Sequence, residues 1–190
     1  MTRAALLAIA AIAPTAAANV IYDEAVNGDL SGDRFNPTVI TLGLGQNTIT
    51  MDVVDSNLPG GDRDYFTFSL AGGLSVDSIL LADASNPNGG FDATAFVGLG
   101  SGNFFDFDPD TFQGAGLIGF VLTTPNLVGT DIIGDLNAGQ GALTATDYSV
   151  WVQQTGQDLT RVSLTFNVVP APTTAAFFGL AALATTRRRR

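Results

Sequence analysis

The chain has 190 residues, 18 acidic side chains against 8 basic ones, a net charge of −10, and neither cysteine nor histidine. All eight basic residues are arginines, which excludes Ser-His-Asp catalysis, thiol chemistry, imidazole zinc ligation, Schiff-base lysines and the lysine of a phosphate-cradling loop. Within residues 19–169 three arginines face all eighteen acids, and the resulting charge of −15 repels nucleic acid, favours solubility and attracts divalent cations.

At the N-terminus Arg3 precedes ten apolar residues, 4–13, and then Ala16, Ala17 and Ala18. This pattern predicts a signal peptide over residues 1–18, removed by signal peptidase. The 151 residues from 19 to 169 suit one domain, able to bury about 68–70% of its unfolded surface. Without cysteines, an exported domain of this size relies on packing. Glu24 is its only glutamate, and the bias to Asp, Gly and Asn suits turns rather than helices. Asn27, Asp29, Ser31 and Asp33 are spaced by two around Gly32, a partial echo of a calcium loop. The twelfth position is Thr38 where an EF-hand carries a bidentate Glu, so a solvated Gly-rich turn is the leading reading and calcium the alternative.

From here the apolar spacing is mostly two. Alternation predicts strands over 38–42, 48–54, 64–70, 76–82, 94–99, 117–122, 148–154 and 160–168, with turns at 43–47, 59–62, 86–90 and 139–141. Eight short strands without a helical window between the ends predict an all-β fold, an antiparallel β-sandwich of jelly-roll-like type. Its core would take Phe66, Phe68, Val150, Val152, Val162, Leu164 and Phe166. Asp62 and Asp64 flank Arg63 at a strand entrance and read as an Asx turn and register pin, with a metal site as the rival. The segments Leu42-Gly43-Leu44-Gly45-Gln46-Asn47-Thr48-Ile49 and Gly61-Asp62-Arg63-Asp64-Tyr65-Phe66-Thr67-Phe68 resemble bacterial pre-peptidase C-terminal domains. That resemblance covers residues 27–83 and implies a non-catalytic accessory β-sandwich.

Asp106, Asp108 and Asp110 alternate with Phe105, Phe107 and Pro109, so an extended backbone would point three carboxylates one way and the rings the other. They read first as a solvent face. The alternative is a calcium site completed by backbone carbonyls or Asp92, since calcium takes about six to eight oxygens. Carboxylate catalysis needs a pair such as an aspartic dyad, but neither Asp-Thr-Gly nor Asp-Ser-Gly occurs, so the chain is not expected to be an enzyme. Trp151 with Phe104, Phe105, Phe107 and Phe112 could stack on sugar rings. Burial is the default for Trp151; because Val150 and Val152 lie on the opposite face, one of the two faces must then be covered by a loop.

The chain closes with Val169-Pro170-Ala171-Pro172, an apolar run and Arg187, Arg188, Arg189 and Arg190. Residues 173–186, as a short hydrophobic helix, would rise roughly 21 Å, against a hydrocarbon core of about 30 Å. The arginines resist entering lipid and hold the end on the cytoplasmic side, so the segment would insert only transiently before a membrane protease removes it. Residues 170–190 resemble a PEP-CTERM sorting signal, with Ala171 in place of its glutamate. The resemblance implies an exosortase-like membrane protease as partner. Segments 129–131 and 148–156 are also similar to exported PEP-CTERM proteins of unassigned role. The expected protein is thus an exported, non-catalytic protein, membrane-associated before processing and then on the cell surface or in the extracellular matrix, without a cofactor. The alternative is a secreted module that binds carbohydrate, such as extracellular polysaccharide, or calcium.

Overall fold

The computed structural model describes residues 18–54, 61–90, 93–111, 116–156 and 158–171. Nine strands form two packed sheets: β1 (Asn19–Asp23), β2 (Thr38–Val39), β3 (Gly45–Val53), β4 (Arg63–Ser69), β5 (Leu74–Ser85), β6 (Ala95–Ser101), β7 (Leu117–Thr123), β8 (Asp147–Gln154) and β9 (Thr160–Pro170). Two single-turn helices accompany them, α1 (Glu24–Asn27) and α2 (Ile133–Leu136), with 3-10 turns at Pro109–Thr111 and Pro125–Leu127. The four-stranded sheet runs β1-β3-β9-β5 and the five-stranded sheet β2-β4-β8-β6-β7.

All eight predicted strands are present, β2 reduced to two residues. β1 is an addition, and the pairing is not wholly antiparallel. Edge strands β1 and β2 run parallel to β3 and β4. Both enter from the N-terminal segment and lie along a sheet edge, where no tight hairpin dictates direction. The signal-peptide residues 1–17 and the predicted C-terminal helix with Pro172 and Arg187–Arg190 lie outside the described residues. Among the described residues no helix is long and apolar enough to cross a membrane.

Period-two alternation builds the core. On β9 Val162, Leu164, Phe166 and Val168 all face inward and are buried, and they meet Ile49, Met51 and Val53 of β3. Phe66 and Phe68 of β4 pack edge-on against Phe166, with centroids 6.2 and 5.3 Å apart, a geometry that aromatic quadrupoles favour. β5 departs from strict alternation through two irregularities, at Val76/Ser78 and Leu81/Asp83. The Asp131 carboxylate accepts the Ile79 and Ile133 amides at 2.9 and 3.1 Å and so satisfies one of the donors left beside the first. At Gly119 a Cβ would stand 2.3 Å from the Asp135 carbonyl, so glycine there lets α2 pack against β7.

A second apolar cluster, Tyr65, Phe96, Phe105 and Trp151 with Phe107 and Leu117, lies on the outer face of the five-stranded sheet. Trp151 is buried there because the segment 102–111 folds over it. Its backbone is tied down by Gly102 donating to Asp147 and Phe105 donating to Arg34. This is the loop cover that the Val150-Trp151-Val152 alternation requires.

Phe166→Ala should lower stability by about 3–5 kcal/mol, the usual cost of emptying a packed aromatic site. A urea midpoint shift equivalent to less than about 1 kcal/mol would contradict the central place given to that ring.

Candidate metal centre

The alternation that points Phe66 and Phe68 into the core does the same to Asp64, two residues upstream and paired with Val152. Asp64 is therefore a fully buried carboxyl. Among the described residues no N–H or hydroxyl donates to either of its oxygens, and its one hydrogen-bonding neighbour is the Glu24 carboxyl. Its neighbours are Glu24 and Asp29, and one oxygen from each of the three carboxyls lies within 4.8 Å of the others. Among the described residues this is the one group of three such ligands.

Local structure explains how the other two arrive. Asp23 caps α1 by accepting the Ala25 amide at 3.0 Å, and Asn27 accepts the Asp23 amide at 2.9 Å. Gly28, at φ +90°, then reverses the chain in a conformation that side chains resist. The Tyr22 hydroxyl donates to the Gly28 carbonyl at 2.9 Å, and Leu30 is buried in the core just beyond. Glu24 is held from both sides, its carboxylate accepting the Leu30 amide at 2.9 Å and the Asp52 amide at 2.7 Å. Asp29 stays exposed on the rim. The cluster thus runs from the buried Asp64 through the half-buried Glu24 to solvent.

Electrostatics follow from burial. Asp64 is pushed well above the ordinary carboxyl range, first by burial and then by the charges of Glu24, Asp62 and Asp29. Glu24 is raised by burial against its two amide donors. Asp62, at the β4 entrance, is pushed up to about 6 by burial and by Asp29, although the Val54 and Arg63 amides oppose this. A carboxyl in this position is ionised only if a cation balances it; otherwise a proton held between Asp64 and Glu24 does so. The ligand set is all oxygen, three carboxyls in a chain with no histidine or cysteine. Such donors select a hard cation with flexible coordination, calcium before magnesium or zinc.

The triplet Asp106, Asp108 and Asp110 falls elsewhere. Asp108 pairs with Arg34 at 3.5 Å and Asp110 with Arg63, while Asp106 is exposed beside a small cavity. The extended alternation holds for Phe105 and Phe107 and then breaks at the 3-10 turn Pro109–Thr111, so Asp106, Asp108 and Asp110 are not brought together as ligands. Arg63 holds the Asp110 carboxyl below its ordinary value. In the run from Asn27 to Asp33 only Asp29 joins the cluster. Asp33 instead accepts the Phe35 amide and the Asn36 side chain in a local turn. Of the residues predicted to form a sorting signal, Pro170 closes β9 opposite Leu74, and the Ala171 amide bonds the Gly73 carbonyl at 2.8 Å. Sequence reasoning missed Glu24 as a ligand and read Asp64 first as part of an Asx turn and register pin, with a metal site as the rival. The available signal was phase, an acid in step with Phe66 and Phe68.

No protein-family model and no curated relative matches the chain. Among solved structures it is similar to the pre-peptidase C-terminal domain of a collagenase from Bacillus anthracis, with 14% identity, 70% of this chain and 98% of that chain covered, and a TM-score of 0.35. This is the class of domain that residues 42–49 and 61–68 resemble. At that TM-score nothing about function follows from the likeness.

A carboxyl whose folded pKa is raised stabilises the fold fully below its unfolded value, and that contribution is lost as pH rises through the folded value. With chelator present, stability should therefore fall as pH rises from about 4 through the Asp62 value near 6 and onward as Asp64 ionises. The lowered carboxyls Asp33 and Asp110 act only below that window. Denaturation midpoints across it should decline in the wild type and decline less in Asp64→Asn, whereas equal slopes would contradict the placement of Asp64.

Proposed function

We propose that this chain is an exported, non-catalytic, acidic β-sandwich that takes up one calcium-class cation at Glu24, Asp29 and Asp64. The observation that carries this reading is Asp64, a fully buried carboxyl that, among the described residues, receives no N–H or hydroxyl donor and faces two further carboxyls. A cation bridging the three would join β1 and α1 of one sheet to β4 of the other and so fasten the two layers at one end. The sandwich is of jelly-roll-like type, supported by the order β3-β9-β5 facing β4-β8-β6-β7. Isolated bridges of Asp131 to Leu80 and Leu143 to Val76 put residues 129–143 where a further strand would flank β5.

The delivery part of the reading is supported by the sequence ends. A signal peptide over 1–18 and a PEP-CTERM-like tail over 170–190 would send the domain across the membrane and hand it to an exosortase-like protease. The domain would then remain at the cell surface or in the matrix, where calcium is abundant.

Calorimetric titration of the wild type with calcium should give a saturable one-site heat, and calcium at 100-fold over Kd should stabilise the fold by about 2.7 kcal/mol. Asp64→Asn should cut the affinity at least tenfold while remaining folded in chelator. A non-saturating heat, or one unchanged by Asp64→Asn, would refute the site. For delivery, removing residues 170–190 should change where the protein accumulates or the mass of its mature C-terminus; unchanged location and mass would refute the sorting signal.

A further inference from the structure

Two phenyl rings stand in solvent on the outer side of the five-stranded sheet. Phe35 is 53% and Phe104 45% exposed, their centroids are 6.2 Å apart, and their planes meet at 46°. They form an open notch rather than a closed stack. The Arg34 guanidinium sits 4.6 Å from the Phe35 centroid and bonds Asp108, which fixes that ring from behind. Below the rings a groove of about 430 Å³ is lined by Asn36, Val39, Ser69, Asn103 and Asp147 among others. Beyond Asn103 a second hollow of about 340 Å³ continues past Phe104 to Asp106 and Phe107. The two hollows adjoin at Asn103, which lines both, with Phe35 in the first and Phe104 in the second; together they form a trough of two chambers, each within the range of about 300–1,000 Å³ typical of ligand sites.

We propose that this trough binds a neutral polysaccharide. A pyranose ring has an apolar face of C–H groups and an equator of hydroxyls, and it needs an exposed aromatic surface beside uncommitted amides and carboxylates. Phe35 and Phe104 supply the first. The second comes from Asn103, from the Asn36 carbonyl, whose amide nitrogen already bonds Asp33, and from Asp147, oriented by a 2.6 Å bond from Ser69 Oγ. Charge selects a neutral chain over an anionic one. Asp106 and Asp147 line the trough, and the basic side chain against its Phe35 ring, Arg34, is paired with Asp108, in a domain at −15 over residues 19–169. Asn36, Ser69, Asn103 and Asp147 in the lining oppose a wholly apolar peptide, and two adjoining chambers fit a polymer better than a single sugar. The site shares no residue with the carboxyl cluster and does not depend on it.

Affinity electrophoresis of the protein expressed from the full chain, in gels containing laminarin, xyloglucan, xylan, hydroxyethyl cellulose or alginate, tests this. Retardation by at least one of the four neutral polymers and none by alginate is expected. Phe35→Ala and Phe104→Ala should each weaken that retardation at least tenfold and Asn103→Ala at least threefold, with Trp151 fluorescence unchanged to show that the fold is kept. Asp64→Asn should leave it intact, which separates this site from the cation site. Absence of retardation by all four neutral polymers, stronger retardation by alginate, or retardation insensitive to all three trough variants would overturn the proposal.

Discussion

Placing a carboxyl on the core face of a strand costs several kcal/mol unless its charge is removed or balanced, and β4 does so at Asp64. The end of the sandwich beside it is organised around that cost. Glu24 and Asp29 add negative charge where an apolar plug would have been the cheaper solution, and two backbone amides fix Glu24 in place. An arrangement that concentrates like charge at a buried point is stable only with a proton or a cation between the groups. Residues 28–31 are drawn across the gap between the sheets in the same construction, with the Ser31 carbonyl accepting the Tyr65 amide at 2.9 Å.

β4 serves both faces of its sheet within three residues. Asp62 and Asp64 belong to the carboxyl end of the molecule, while Arg63 points the other way and bonds Asp110. With Arg34 and Asp108, that pair holds the 102–111 segment over Trp151. The third arginine of the domain, Arg161, makes a two-pronged bond to Asp52 at 2.7 and 2.6 Å across β3 and β9. The three arginines of residues 19–169 are thus committed to holding strands and loops. Among the described residues they leave the carboxyl cluster with no basic partner, which sharpens its demand for an external cation.

The strands were legible because their side chains obey period two: Val162, Leu164 and Phe166 announce their face without help from the rest of the chain. Loop cover over Trp151 was legible for the same reason, since Val150 and Val152 had already claimed the core. β1 was not, because Asn19–Asp23 is short, sits at an edge and pairs in parallel with β3 without a hairpin to announce it, so nothing local marks it. The carboxyl cluster was half legible. Asp29 stood out by its spacing, but Glu24, Asp29 and Asp64 meet only after the two sheets pack, and local spacing drew attention to Asp106, Asp108 and Asp110 instead. Those three are separated by a 3-10 turn and by arginines distant in sequence. Phe104 was legible as a loop aromatic but its pairing with Phe35 was not, because their meeting depends on the Phe105 amide bonding the Arg34 carbonyl at 3.1 Å.

The account turns on the ionisation state of one side chain. Carboxyl carbon NMR of Asp64 at neutral pH, first in chelator and then through a calcium titration, observes it directly. The account predicts a protonated carboxyl in chelator that converts to a carboxylate as calcium saturates. A carboxylate already present in chelator, with a shift that calcium leaves unmoved, would contradict it.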